Sequence, residues 1–341
     1  MIVMKFGGSS VGGAERIRSV AQIVKSRLHQ KPVVVVSAVK GITDMLIKLA
    51  NEKENRKKIL ETIRNIHCNI LEKLNLEKSL VDIELNELAE LAKNNTDVDA
   101  KLLDRFASFG ERMSSKIVAA ELRRIGIKSE AFNSYDIGFL TDDNFGDAEP
   151  LKKAYDIMNG NIKKMNIVPV ITGFLGKTEN NEITTNGRAG SACTARVIGP
   201  AINATEIQIW TDVDGILTTD PRIVNNAKTI GKISFAEASE LAYFGAKVLH
   251  PRSILPAMKK NIPVKVLNTF NPEHPGTTIV NKAKSDKSNA IKAIACKKNI
   301  TLVNISSTRM LGSYGFMAKL FSIFADWKKS IDVISTSEVS V

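Results

Sequence analysis

Long apolar runs are missing from this chain. No stretch approaches the ~18 residues that a membrane span needs, so no membrane helix and no membrane partner are expected. Cysteine is scarce: Cys68, Cys193 and Cys296 lie far apart, without the spacing of a metal site or a disulfide framework. Reduced thiols in a cytoplasm fit that usage. The four histidines, His29, His67, His250 and His274, form no ligand cluster either. Aromatic residues make up 6% of the chain, and few are interleaved with the lysines that give it a net charge of +12. A basic surplus of this kind attracts anions in general, but it lacks the pattern of a nucleic-acid surface, and no nucleic-acid partner is expected. The densest basic run, Arg56-Lys57-Lys58, has Glu52, Glu54 and Glu61 beside it and reads as a solvated helix face. The N-terminus enters a strand pattern at once, so no signal peptide is expected.

What remains is an ordinary globular composition, 43% hydrophobic and 25% charged over 341 residues, long enough for two domains. Met1 to Met4 run as a strand into Lys5-Phe6-Gly7-Gly8-Ser9-Ser10-Val11. Ile17, Val20, Ile23, Val24 and Leu28 then recur at helical spacing. Strand, glycine turn and helix N-terminus with a lysine beside them suit a phosphate. A plain tight turn gives the same pattern, and no Gly-Lys-Ser/Thr closes a P-loop here. Pro32 to Ser37, Ile167 to Thr172 and Ile207 to Trp210 read as further buried strands. Helical patterns fill residues 44 to 105, pause at Ser108 to Arg112, and resume from Met113 to Ile125. Strands alternating with helices predict a mainly parallel sheet covered on both faces.

Three more loops carry groups suited to charged ligands. Glu111 follows a glycine in Ser108 to Ser115, where it either matches a helix dipole or binds an ammonium. Arg188 sits among small residues between Gly173 and Ser191, either gripping a carboxylate or satisfying loop carbonyls. Asp212 and Asp214 end a strand at Trp210, where α/β sheets bind ligands. Asp214-Gly215 is also an ordinary turn pair, and Asp212 with Arg222 an ordinary loop ion pair. Residues 281 to 289 are polar and aperiodic, a linker. Beyond them Ile291 to Cys296 and Ile300 to Ile305 read as strands, Phe316 to Trp327 as a helix, and Ile331 to Ile334 as a third strand.

Together these segments resemble the aspartate kinases, enzymes of the amino-acid kinase fold. The likeness runs through Lys5 to Val11, Ser37 to Asp44, Ser108 to Ser115, Thr141-Asp142 with Phe145-Gly146, and Thr172 to Arg188. It continues through Trp210 to Arg222, Phe244 to Pro251 and Asn268 to Thr277, and the tail at 309–341 is similar to the family's first ACT domain. The resemblance implies an α/β catalytic domain over 1–281, with a mainly parallel central sheet flanked by helices. A linker at 282–290 and an incomplete α+β ACT-like regulatory domain at 291–341, truncated by the end at Val341, would follow. It implies ATP with Mg²⁺ as the phosphoryl source, L-aspartate as acceptor, a lysine effector, and a homodimer or higher homo-oligomer.

By the same resemblance, Lys5, Gly8 and Arg188 are the catalytic residues. Ser37, Thr43, Glu111, Arg188, Gly190 and Ser191 line the aspartate site. Lys5, Gly7, Gly8, Ser9, Thr211, Asp212, Arg222 and Lys247 hold the nucleotide, and no side chain is assigned as a metal ligand. Met310, Ser313, Phe316, Met317, Ser330, Asp332 and Ser337 form the effector site. Three positions depart from the family. Ala189 replaces a glycine, Ala192 replaces an aspartate near the substrate ammonium, and Leu217 stands where a tyrosine commonly lies near the adenine. Those departures keep open a kinase for another small carboxylate, or a catalytically weakened regulatory paralogue.

Overall fold

The computed structural model describes the chain except residues 94–96, 188–189, 245–254, 284–290, 308–309, 311–312, 330, 332 and 338–339. The chain divides into two compact units, Met1–Cys296 and Lys297–Val341. Residues 291–296 group with the first unit, where the Ile294 N–H donates to Thr218 O (2.8 Å) and Lys292 pairs with Glu237 (2.6 Å). Most of the expected linker lies outside the described residues.

The first unit is built on one sheet. Its strands are β1 (Ile2–Phe6), β2 (Pro32–Val36), β3 (Ser129–Phe132), β4 (Val168–Thr172), β7 (Glu206–Thr211), β8 (Lys232–Ser234), β9 (Val264–Asn268) and β10 (Thr277–Val280), in the order β3-β4-β2-β1-β7-β9-β10-β8. Every neighbouring pair is parallel except β9 with β10. A two-stranded antiparallel hairpin, β5 (Leu175–Lys177) and β6 (Ile183–Thr185), stands apart from it.

Alternation along the strands feeds two cores. Ile2, Met4, Phe6, Val34 and Val36 pack under α1 (Ala14–Ser26), α2 (Ile42–Asn51), α3 (Arg56–Leu74), α4 (Asp82–Lys93) and α5 (Ala100–Arg124). Val3, Val33 and Val35 face α6 (Lys152–Lys163), α7 (Gly190–Ala201), α8 (Phe235–Tyr243) and α9 (Leu255–Lys259). This double cover explains why β2 is an unbroken valine run: neither of its faces meets water. Among the described residues no helix is long and apolar enough to cross a membrane.

Three expectations are corrected. The pause at Ser108 to Arg112 does not exist, because α5 runs unbroken through it. Gly110 is there for approach: a Cβ on it would stand 2.6 Å from the Ala38 Cβ. A helix-interior glycine costs ~1 kcal/mol, and here it lets α5 press on the loop after β2. The basic run is only partly solvated. Lys57 and Lys58 are exposed, but Arg56 is buried and donates to the carbonyls of Leu49 (3.2 Å), Ala50 (3.1 Å) and Ala92 (2.7 Å). It satisfies acceptors that the ends of α2 and α4 leave open. Finally, 291–296 and 300–305 form no strand, and neither do the described residues of 331–334. Apolar side chains there, among them Ile300, Leu302, Val303, Val333 and Ile334, stay exposed with no sheet face to cover. The second unit holds α10 (Phe316–Asp326) and a bridge at Ser306–Ser340, where Ile305 and Val341 exchange N–H···O bonds of 3.0 Å.

Candidate active site

The C-terminal ends of β1, β2, β4 and β7 are neighbours in the sheet, and the loops leaving them converge. The β1 loop turns back at once. Gly7 donates its N–H to Trp210 O on β7 (3.2 Å), and Ser10 donates to Gly7 O (2.9 Å). The Ser10 hydroxyl lies 2.7 Å from that of Thr269, pinning the turn to the end of β9. Gly8 lies so close to the β2 loop that a Cβ would meet Ala38 O at 3.0 Å. A side chain at this crossing would press on the backbone of the β2 loop. The Lys5 ammonium group ends beside Gly7, 3.5 Å from where a Cβ would sit.

The β2 loop delivers Ser37 and Ala38 to the same place. Ser37 Oγ is 2.6 Å from Ser191 Oγ at the start of α7, and Ser114 Oγ donates to Ser37 O (2.7 Å). The Ala38 N–H donates to Glu111 Oε1 (3.0 Å). Gly173, after β4, packs against Ser191 so tightly that a Cβ would overlap it. Gly190 is equally close to the Phe174 ring. Thr43 is the second residue of α2, half-buried, directly after the loop.

Glu111 and Lys5 are the electrostatic centre. Glu111 is 3% exposed, and its Oε2 has no hydrogen-bond partner. Burial pushes its carboxyl up to about 8, while the Ala38 N–H and the Lys5 charge pull the other way. Burial likewise brings the Lys5 ammonium down to about 8, opposed by Glu111. A carboxyl oxygen held ready without a donor is an acceptor waiting for one, and an ammonium is the fitting guest. A lysine beside a glycine turn suits a phosphate.

Among the residues expected to hold the nucleotide, Thr211 Oγ1 donates to Asp212 Oδ1 (3.2 Å) at the end of β7. The structure does not bring Arg222 to Asp212. Its guanidinium, 75% exposed, grips both oxygens of Asp220 (2.9 and 2.6 Å) as a local pair within the 218–228 loop. Arg188 and Lys247 lie outside the described residues, as do Ala189, Ser330 and Asp332. Among the described residues no group of three or more acidic, histidine or cysteine side chains gathers as metal ligands. Asp214, at the strand end or in an ordinary turn by its sequence, accepts from Asn268 Nδ2 (2.8 Å) and Asn271 Nδ2 (3.2 Å) and so joins the β7 and β9 loops. Sequence reasoning passed over Asp104. It lies two helical turns before Glu111 on α5, and its partners, Gly146 and Thr185, are remote in sequence.

A model of the amino acid kinase family matches residues 1–268. Over 355 aligned residues the chain is 42% identical to aspartokinase 2, chloroplastic, of Arabidopsis thaliana, covering 99% of this chain and 65% of that protein. It is 40% identical to the lysine-sensitive aspartokinase 3 of Escherichia coli K12, covering all of this chain and 77% of that one. The chain belongs to the aspartokinases of the amino acid kinase family. The crystal structure of E. coli aspartokinase III with aspartate and ADP superposes with a TM-score of 0.86 at 37% identity, over 100% of this chain and 77% of that chain. The same enzyme has been solved with lysine and aspartate, where the TM-score is 0.84 at 38% identity, over 100% of this chain and 78% of that one. The mainly parallel sheet flanked by helices is thus the aspartokinase fold. The chain spans 62–65% of the length of three chloroplastic aspartokinases of Arabidopsis thaliana that it matches.

Proposed function

We propose that this chain transfers the γ-phosphoryl group of ATP to the β-carboxylate of L-aspartate, giving 4-phospho-L-aspartate and ADP for lysine, threonine and methionine synthesis. The observation that carries this reading is the meeting of Lys5 and the Gly7-Gly8 turn with the unsatisfied Glu111 Oε2. One subsite suits phosphate and the other an ammonium. A substrate with an amino group at one end and a carboxylate nucleophile at the other spans them. Aspartate and ADP together in the E. coli relative support the same pairing.

A carboxylate is already ionised, so its oxygen attacks phosphorus without a general base as the bond to ADP breaks. The protein's task is to place two anions and neutralise the charge between them. Lys5 supplies a cation, and the N-termini of α1, α2 and α7 supply free N–H groups. Mg²⁺ binds ATP mainly through phosphate oxygens and water, which suits a site with one exposed carboxylate, Asp212, at its edge. The bound ion would neutralise phosphate charge. Arg188 would grip the substrate α-carboxylate, Gly190 and Ser191 would add donors, and Lys247 would serve the nucleotide. We assign residues 291–341 as an ACT-like regulatory segment that takes lysine and pairs with a second copy. Lysine bound to the E. coli relative supports the effector. The free thiols fit a reducing cytoplasm.

Measuring ADP release with aspartate and a panel of small carboxylates, with hydroxylamine trapping of the acyl phosphate, tests the proposal. Turnover and trapped aspartyl hydroxamate are expected with aspartate. Preference for another acceptor, or no turnover on any, overturns it.

A further inference from the structure

Asp104 is a buried carboxylate that substrate chemistry does not call for. It is 3% exposed and lies on α5, seven residues before Glu111. Its Oδ2 accepts the N–H groups of Gly146 (2.9 Å) and Thr185 (2.8 Å), and its Oδ1 accepts the Thr185 hydroxyl (2.6 Å). Burial pushes its acid up, while these donors favour the ionised form. A buried carboxylate costs stability unless such donors meet it, and here they come from two segments that are remote in sequence.

Those segments lead to the substrate turn. Ala148 donates its N–H to Thr185 O (2.9 Å), and Asn186 Nδ2 donates to Ala148 O (2.8 Å). Gly187, with φ 62°, lies against Asp147 so closely that a Cβ would overlap the carboxylate. The Asn186 N–H is held by Phe174 O (3.0 Å), and Gly190, the first residue of α7, donates to Gly187 O (3.1 Å). A continuous set of bonds therefore runs from α5 through the 146–148 loop and the end of β6 into the turn that opens α7.

We propose that Asp104 is a positioning residue that ties Asn186 and Gly187 to α5, and so fixes the distance between Gly190, where α7 begins, and the ammonium acceptor Glu111. The proposal rests on the aspartate reading above for what the two ends hold. Asp104 touches no substrate atom. It sets the spacing of groups that do, and a displacement of about 1 Å in such a spacing can cost ~100-fold.

Two substitutions separate positioning from mere stability. Asp104→Ala removes the tie. Asp104→Asn keeps it: the amide oxygen takes the place of Oδ2, and the amide NH₂ donates to the Thr185 hydroxyl, which turns its own proton away. Asp104→Ala should raise KM for aspartate ~10-fold or more with KM for ATP within a factor of two, and Asp104→Asn should restore the parent value. Both KM values unchanged, or both raised in proportion, would overturn the proposal. If Asp104→Ala does not fold, Thr185→Val removes one of the three bonds and should show the same selective rise in smaller measure. Hydrogen exchange gives a readout independent of substrate. The amides of Asn186 and Gly190 should exchange at least several-fold faster in Asp104→Ala and at the parent rate in Asp104→Asn. Unchanged exchange there counts against the positioning role. Failure of the parent to phosphorylate aspartate counts only against the proposed activity.

Discussion

Replacing Glu111 by glutamine should make the protein more stable at alkaline pH while weakening aspartate binding. The reasoning starts from the carboxyl that the fold holds protonated. Burial moves it from 4.5 to about 8. A group with a raised folded pKa binds more protons in the native state than in the unfolded one, so the parent loses stability as pH climbs between those values. Integrated from pH 5 to pH 8.5 at 1.36 kcal/mol per unit, the loss is ~3–4 kcal/mol. Glutamine copies the protonated acid. Its amide oxygen accepts the Ala38 N–H as Oε1 does now, and its NH₂ occupies the site of the partnerless Oε2. The variant should therefore escape the loss.

Lys5 acts in the opposite sense and in another window. Its folded pKa is lowered from 10.5 to about 8, so it makes both proteins more stable as pH rises from about 8 to 10.5. Glu111→Gln removes the charge that holds the Lys5 pKa up, so the variant gains this stability from a lower pH and the gap widens in the same direction. Urea unfolding of both proteins at pH 5 and pH 8.5 is the assay. The stability gap should open in favour of Glu111→Gln by ~3–4 kcal/mol between the two. A gap that stays constant within ~1 kcal/mol would show that Glu111 is ionised at neutral pH, and would refute the reasoning about the empty site. The cost should appear in binding, because an amide NH₂ cannot accept from an ammonium: KM for aspartate should rise while KM for ATP stays close to the parent value.

Lys5→Ala should cut kcat by ~100-fold or more, a loss of about 2.7–4 kcal/mol in transition-state stabilisation, with the circular dichroism spectrum unchanged; turnover within a factor of three of the parent would contradict the role given to it. Ala192→Asp should lower KM for aspartate about ten-fold by adding a second ammonium partner at the start of α7, and steady-state kinetics with an unchanged or higher KM would point to a different acceptor. Titration calorimetry of the purified protein with lysine, threonine and methionine should give heat for lysine, and silence for all three at millimolar concentration in a protein shown to be dimeric would reject the effector site.

Much of the first unit was legible because its cues are local. The PVVVV run could only be a strand with both faces covered, and it is. The periodic apolar residues from Ile17 to Val24 form α1 where expected. The errors fell where one residue type serves two purposes. Gly110 reads as a helix breaker, yet in α5 it is the contact with Ala38 that selects it. Arg56 reads as part of a solvated patch, yet three carbonyls from two helix ends bury it. In the second unit, alternating apolar residues near Leu302 have strand character, but among the described residues only the Ser306–Ser340 bridge pairs with that segment. Periodicity records which faces a segment offers and is silent on whether anything covers them.

The candidate site divides along the same line. Lys5 and Glu111 carry chemistry in their own side chains and stand beside the glycine punctuation of Gly7-Gly8 and Gly110, so they could be picked out one by one. Asp104 and Thr269 could not. Asp104 is 81 residues from Thr185, and Thr269 is 259 residues from Ser10. For Asp104, two of the three partners are backbone N–H groups, which every residue but proline possesses. A sequence cannot mark a partner that any residue could supply. The groups that touch substrate are therefore the readable part of such a site, and the bonds that set their spacing emerge only when the fold brings α5 against the 146–148 loop and β6.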